Sequence, residues 1–392
     1  MSTPTRVDLV YFNAGGGHRA SALALQQALA QAGLDWEVRL VNLTELLDPG
    51  GALRRRTFSP EDYYNARLAH GLTLGLRTEL RVLQALIHLL HPSLVRALQQ
   101  HWARSEPDLV VSLIPNFNRA LYQSLAGTLP GVPYVTVLTD LADHPPHFWI
   151  EPGQRQHFVC GSAQAVRQAL EAGHPPERVH ASSGMIIRPD FYRLDPHFDQ
   201  AAARAAQGLD PERPTGVVMF GGHGARSMLG IAERLSDVQL ILLCGHNRRL
   251  AERLRAQPAR APRLVLGFTP DVAEVMRMGD FFVGKPGPGS LSEALHLGLP
   301  VVVTRNAWTM PQERYNTQWV REQGLGLVLP SFRQVAPAVR SLLDELPGYR
   351  ERVAALRNQA VFELPGLLER ILRDARRVPG GISSAARAEP VR

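Results

Sequence analysis

The sequence predicts two α/β domains, each a doubly wound parallel sheet, and three observations carry that expectation. Short β-branched runs alternate with helical patterns along the 392 residues, as strand-helix-strand units on parallel sheets do. The length is about twice that of a usual domain, so a single core would be unusual. Each half also opens on a strand that runs into a glycine-rich loop and then a helix.

Strands are expected at 7–12, 37–43, 108–114, 134–140 and 157–160 in the first half. In the second half they are expected at 216–220, 239–244, 263–267, 281–283, 300–304 and 326–329. Between the halves, Pro189, Pro196, Pro211 and Pro214 punctuate a stretch without periodicity. The resulting boundaries are 1–188 for an N-terminal domain, 189–214 for a linker and 215–348 for a C-terminal domain. A helix over 349–378 is expected to pack back towards the N-terminal domain, and 379–392 to be a disordered tail. The two domains would face one another across a cleft.

Hydrophobic content of 45% and charged content of 20% are those of a globular protein. Cys160 and Cys244 lie far apart in apolar runs without a CxxC or Cys/His cluster, which argues against a disulfide or zinc framework. The start of the chain has no signal-peptide core and no run reaches the roughly 18 apolar residues of a spanning helix, so a cytoplasmic, non-integral protein is expected. The net charge of +7 is concentrated: residues 51–104 hold eight arginines against Glu61, Asp62 and Glu79. Within that stretch, Leu80, Leu83, Ile87, Leu90, Leu94 and Leu98 recur at helical spacing, broken near Pro92. Such a basic amphipathic surface suits anionic membrane headgroups, and a core-facing helix with a solvated arginine face explains the pattern equally well.

The first glycine loop reads Asn13-Ala14-Gly15-Gly16-Gly17-His18-Arg19-Ala20-Ser21. Its glycines allow a tight turn that aims backbone N–H groups and a helix N-terminus at one spot. The Gly15-x-Gly17-x-x-Ala20 spacing fits a dinucleotide fingerprint, but Asn42 stands where an acidic residue is expected after the second strand. His18 projects from a strand's carboxyl end, where an imidazole can take a proton from a hydroxyl or simply hydrogen-bond the backbone. The second loop, Phe220-Gly221-Gly222-His223-Gly224-Ala225-Arg226-Ser227, repeats the arrangement, as an anion cradle or as a plain tight turn.

The third loop runs Gly284-Lys285-Pro286-Gly287-Pro288-Gly289-Ser290-Leu291-Ser292-Glu293. Ser290 is placed to cap the following helix, whose dipole and N–H groups would receive a diphosphate. Glu293 can chelate the two hydroxyls of a ribose, or act as the capping-box partner of Ser290 at i+3. Lys285 is the sole lysine against 42 arginines, a hint that a compact ammonium is wanted there. Gln312 and Glu313, after Met310-Pro311, offer an amide and a carboxylate for sugar hydroxyls, or an ordinary first helical turn.

Taken together, residues 13–22, Thr139-Asp140-Leu141 and Lys285 to Ser290 through Gly298-Leu299-Pro300 resemble the two-Rossmann-domain (GT-B) glycosyltransferases. The resemblance is to the group of monogalactosyldiacylglycerol synthases, processive diacylglycerol glucosyltransferases and MurG. It implies a UDP-sugar donor as co-substrate, no cofactor and no metal. It also implies Gly222, Gly224, Gly289 and Ser290 near the phosphates, Phe268 and Thr269 beside the uracil, and Lys285 stabilising the leaving diphosphate. Glu293 would meet the ribose, and Gln312 and Glu313 the transferred hexose. His18 would be the base, oriented by Asp140, with Gly16, Gly17, Arg19, Asn116 and His147 on the acceptor side. The implied reaction is inverting transfer of galactose or glucose to a membrane lipid such as diacylglycerol, at the inner face of a bacterial membrane, with no nucleic-acid partner. Residues 142–149 follow the lipid enzymes only loosely. A non-lipid acceptor, a UDP-sugar 2-epimerase, a non-catalytic lipid- or nucleotide-binding protein and an NAD(P)-dependent oxidoreductase are the competing readings.

Overall fold

The structure, a computed structural model, describes residues 4–13, 17–47 and 76–377. It divides into two compact units, one drawn from the described residues of 1–61, 78–186 and 359–392 and the other centred on 187–358. Both are helix-covered parallel sheets.

In the first unit the strands are β1 (Thr5–Tyr11), β2 (Trp36–Asn42), β3 (Leu109–Ser112), β4 (Tyr134–Val137), β5 (His157–Cys160) and β6 (Val179–Ala181). They lie in the order β2-β1-β3-β4-β5-β6. Five of these fall where the sequence places strands. The sixth spans three residues, too few for an alternation to register, and is held by parallel pairing of Val179 with Phe158 and Ala181 with Cys160.

The second unit contains β7 (Thr215–Met219), β8 (Gln239–Leu243), β9 (Arg263–Leu266), β10 (Phe281–Gly284), β11 (Val301–Thr304) and β12 (Gly326–Leu329), ordered β12-β11-β10-β7-β8-β9. Strands β3, β4, β7, β8, β10 and β11 are buried along their length, as parallel strands covered by helices on both faces must be. Cys160 and Cys244 are unpaired and buried, and burial pushes their thiols up to about 12 and about 11.

The segment expected to be a linker is instead folded into the second unit. Its seven-residue helix, Gln200–Ala206, is too short to show periodicity and is fixed by polar contacts rather than an apolar stripe. Gln200 Nε2 donates to the carbonyls of Arg277 and Gly279, and the buried Arg204 donates to the Met278 carbonyl and to Asp280 at 2.6 Å. Asp280 also accepts from Arg350 at 2.5 Å and from the Thr215 N–H at 2.7 Å, so one carboxylate ties three separate segments together.

Residues 349–378 divide between the units: the helix Leu346–Ala354 stays with the second, and Ala360–Arg377 packs with the first. There Glu363 accepts from the Ser183 N–H, and Arg376 donates to Thr5 Oγ1. The helix Leu76–Ser105 runs through Pro92 without the expected break. Proline removes one N–H from the helical ladder, and on a largely exposed helix the orphaned carbonyl can turn to water. The part of the basic stretch 51–104 that precedes residue 76, and the tail 379–392, lie outside the described residues. Among the described residues no helix is long and apolar enough to cross a membrane.

Removing the Asp280 carboxylate leaves the buried Arg204 guanidinium without its partner. Asp280→Ala should therefore destabilise the protein by about 3–5 kcal/mol, read as a lowered midpoint in urea denaturation.

Candidate active site

In the first sheet the strand order reverses between β1 and β3, and in the second between β7 and β10. Loops leaving adjacent strands at such a point diverge and open a crevice at the carboxyl edge, where α/β proteins bind ligands. Three of the glycine-containing loops singled out from the sequence leave these strands: the His18 loop follows β1, the Gly222 loop follows β7 and the Ser290 loop follows β10.

His18 sits in the first turn of the helix Gly17–Gln31. Its Nδ1 is 2.9 Å from the Leu113 carbonyl, in the segment leaving β3, and 3.1 Å from Thr139 Oγ1. A carbonyl only accepts, so Nδ1 carries the proton and Nε2 is left as the basic lone pair. Burial lowers the imidazole pKa to about 4, the Leu113 carbonyl opposing only part of that shift, so the ring is neutral at physiological pH.

Asp140, expected to orient His18, accepts a hydrogen bond from Trp149 Nε1 at 3.0 Å, and the Trp149 ring lies 6.0 Å from the imidazole centroid. The groups at Nδ1 are Leu113 and Thr139. Carboxylate and imidazole leave one edge of the sheet, but the indole takes up Asp140 Oδ2. Gly17 and Arg19 are exposed beside His18, and Gly16 lies outside the described residues.

The loop after β4 is organised by Asp143, which the sequence reading left without a role. Its carboxylate accepts from the Trp149 N–H at 2.6 Å and the His147 N–H at 3.0 Å. Burial raises the Asp143 pKa, and those N–H donors pull it back only in part. Asn116 and His147, expected on the acceptor side, both adopt left-handed backbone, with φ of 65° and 63°. Both line a cavity of about 330 Å³ together with Gln84, Ile87 and Glu151.

In the second unit, a Cβ built at Gly222 or at Gly289 would meet nothing within 4 Å, so both loops present bare backbone to an incoming group. Gly245, at φ 55°, lies so close to Gly222 that its Cβ would fall 2.0 Å from the Gly222 carbonyl oxygen, and the His246 N–H donates to that oxygen at 2.9 Å. The loops after β7 and β8 are thereby locked together. The His246 ring stacks on Phe268 at 4.4 Å and 15°, leaving Phe268 65% exposed as a flat apolar platform. Thr269 is occupied locally, its Oγ1 accepting from the Asp271 N–H.

Ser290 is not the helix cap. The helix Pro288–His296 begins with Gly287 at its N-cap and Pro288 at its first position, with no side-chain cap. Ser290 therefore stands inside the first turn, and the capping-box reading of Glu293 is removed. Glu293 Oε1 lies 3.6 Å from Arg188 Nε, a partner from the expected end of the N-terminal domain that spacing could not reveal and that the structure places in the second unit. Burial outweighs that guanidinium and holds the Glu293 carboxyl up to about 7.

Lys285 Nζ donates to Glu313 Oε1 at 3.0 Å, so Glu313, 3% exposed, is engaged by the sole lysine. A Cβ at Gly287 would come within 3.2 Å of Lys285 Cε and 3.3 Å of Glu313 Oε1, a tightness that favours a slender ammonium over a guanidinium. Gln312 is half-buried and its amide lies 3.8 Å from Met310 Sδ, a weak contact that a hydroxyl can displace.

Two helix-flanked parallel sheets of this order, with glycine loops at both switch points, make up the two-Rossmann-domain fold of the GT-B type. Within it the chain is similar to the chloroplastic monogalactosyldiacylglycerol synthase of Spinacia oleracea, 28% identical over 357 residues covering 86% of this chain and 66% of that protein. Monogalactosyldiacylglycerol synthase 1 of Arabidopsis thaliana is 26% identical over 392 residues, 95% of this chain and 70% of that protein. The chain thus spans about two thirds of the length of these plant relatives. No family model matches it. Among solved structures, Acinetobacter baumannii MurG shares the fold at a TM-score of 0.57 and 13% identity, over 94% of this chain and all of that one. The UDP-GlcNAc 2-epimerase of Neisseria meningitidis does so at 0.58 and 13%, over 94% of this chain and 100% of that one.

Two measurements check the electrostatics. Imidazole ¹⁵N shifts of His18 should titrate near pH 4, and a midpoint at the ordinary 6.5 would contradict the buried neutral ring. For Glu293 the folded-state pKa exceeds the unfolded value, so the folded state holds a proton that the unfolded chain has released. Its contribution to stability is therefore lost as pH rises from about 4.5 to about 7. Glu293→Gln should flatten that slope and stabilise the protein at pH 8 by up to about 3 kcal/mol, measured by denaturant unfolding across pH.

Proposed function

We propose that the protein is an inverting glycosyltransferase that moves a hexose, galactose or glucose, from a UDP-sugar to the hydroxyl of a membrane lipid such as diacylglycerol. The observation that carries this reading is the His18 imidazole: neutral, anchored through Nδ1, with Nε2 unprotonated and able to accept a proton at the carboxyl edge of the first sheet. The similarity to galactolipid synthases over most of the chain supports the lipid acceptor and the hexose.

The acceptor O–H proton passes to His18 Nε2 while the acceptor oxygen bonds to the anomeric carbon from the face opposite the diphosphate. The bond from that carbon to the phosphate oxygen breaks, its electron pair leaves with UDP, and configuration inverts. Exposed amides at Gly222 and Gly289, the N-terminus of the helix Pro288–His296, Ser290, Arg188 and Lys285 meet the developing charge, and no metal ion takes part. Phe268 stacks on the uracil, Glu293 receives the ribose hydroxyls and Gln312 the sugar. Glu313 acts through Lys285, holding the ammonium in place. Peripheral binding to an anionic membrane leaflet through the basic stretch 51–104, from the cytoplasmic side, completes the reading.

The test is a panel of UDP-sugars with diacylglycerol in mixed micelles, scored for UDP release and a glycolipid product. Product only with lipid present supports the proposal. Conversion of the UDP-sugar without an acceptor would instead assign a 2-epimerase. His18→Ala should lower turnover by about 10² or more while UDP affinity, measured by calorimetry, stays unchanged. Near-normal turnover would remove His18 as the base. At saturating donor, the acceptor kcat/KM should show no inflection at pH 6.5 and fall only as pH approaches about 4.

A further inference from the structure

The cavity in the first unit has no role in the mechanism so far, yet it is walled by the two loops that hold His18. Asn116 follows Leu113, the carbonyl partner of His18, and its N–H donates to the Phe148 carbonyl at 2.6 Å. His147 and Glu151 flank Trp149 in the other loop. The third wall is the helix Leu76–Ser105, which contributes Gln84, Ile87 and His88.

The lining is specific in its chemistry. Gln84 Nε2 donates to Asn116 Oδ1 at 3.1 Å, which leaves Gln84 Oε1 as an acceptor and Asn116 Nδ2 as a donor for a ligand. Burial raises the pKa of the Glu151 carboxyl, and Arg119, His147, His88 and His91 in turn pull it back, so this acid faces one cation and three imidazoles. A carboxylate opposite a guanidinium is charge-balanced, so a ligand bearing a net charge of either sign gains little there, whereas hydroxyls can donate to Glu151 and accept from Arg119. A volume of about 330 Å³ equals that of about ten waters. That is room for a three-carbon polyol with its ester linkages.

The apolar surface beside it is continuous with the cavity. Ile87 is buried at the floor, and Leu83 and Leu90, at i−4 and i+3, share its helical face while remaining 41% and 45% exposed. Val82, Leu86 and Leu89 extend that surface, at 63%, 47% and 77% exposure. So large a run of exposed apolar side chains marks an interaction site.

We propose that this cavity seats the acceptor's head, an uncharged glycerol-type polyol bearing one free hydroxyl, with Glu151 and Asn116 holding its oxygens and the Leu83–Leu90 face taking the first segments of its acyl chains. The proposal rests on the transferase reading and adds to it the residues that choose the acceptor. Glu151 is here a binding residue, and the cavity selects neutral heads over phosphorylated ones.

The test uses the full chain and water-soluble dihexanoylglycerol, with binding followed by calorimetry without donor. Wild-type protein should bind it, and Glu151→Gln and Ile87→Trp should each weaken binding by about tenfold or more, the first by losing a charged hydrogen-bond acceptor and the second by filling the floor. UDP affinity should stay within about twofold in both, and an unchanged circular dichroism spectrum and urea denaturation midpoint report that each variant is folded. Dihexanoyl phosphatidic acid should bind no more tightly than the neutral lipid. Unchanged lipid affinity in the Glu151→Gln variant, tighter binding of the phosphorylated lipid, or no binding by the wild type would each overturn the inference. Lipid binding that both variants lose, without sugar transfer by the wild type, would uphold the cavity and sink the transferase reading.

Discussion

Parallel pairing is the constraint on which the rest of this structure depends. Parallel strands cannot be closed by hairpins, so each connection must cross the sheet, and every strand in a sheet ends at the same edge. In both units that edge gathers the loops that carry His18, Gly222 and Ser290. The reversal of strand order between β1 and β3, and between β7 and β10, decides which of those loops diverge. Residues far apart in the chain therefore meet: His18 finds its partner at Leu113, and Lys285 finds Glu313. Active-site chemistry on this fold follows from sheet topology before any side chain is chosen.

Burial does the electrostatic work at both edges, in opposite senses. At His18 it disfavours the imidazolium and leaves a neutral ring whose Nδ1 proton is committed to a carbonyl. At Glu293 it disfavours the carboxylate and brings the acid near neutrality despite an adjacent arginine. Hydrogen-bond donors to the charged form would lower the cost of ionising a carboxyl held in this state. Both His18 and Glu293 are desolvated at a cost to the fold, whereas Asp280 has three partners that offset its burial.

Much of the site was legible because glycine-rich turns and helix N-termini leave local signatures. The loops at 13–21, 220–227 and 284–293 were visible as strand-to-helix turns, and they do leave strands at the switch points. What stayed hidden were pairings across long separations. No spacing rule relates Arg188 to Glu293, Thr139 to His18, or Asp143 to the N–H groups it gathers. The short helix Gln200–Ala206 and strand β6 escaped for a related reason: each is held by long-range contacts and is too short to display a period. The expectation that Ser290 caps its helix failed because Pro288, with φ already suited to the first helical position, moves the start of the helix three residues earlier.

The sequence by itself determined the fold class of this protein: alternating strands and helices, two halves, and glycine-rich strand-to-helix turns, all of which depend on residues close together in the chain. Tertiary structure alone decided which polar groups are paired, which carboxyls are driven towards neutrality, and where the Glu151 cavity opens beneath the exposed leucines of the helix Leu76–Ser105. The reason is physical. Backbone conformation follows from local sterics and hydrogen bonding, whereas protonation and ligand fit depend on desolvation, which exists only once distant segments have packed.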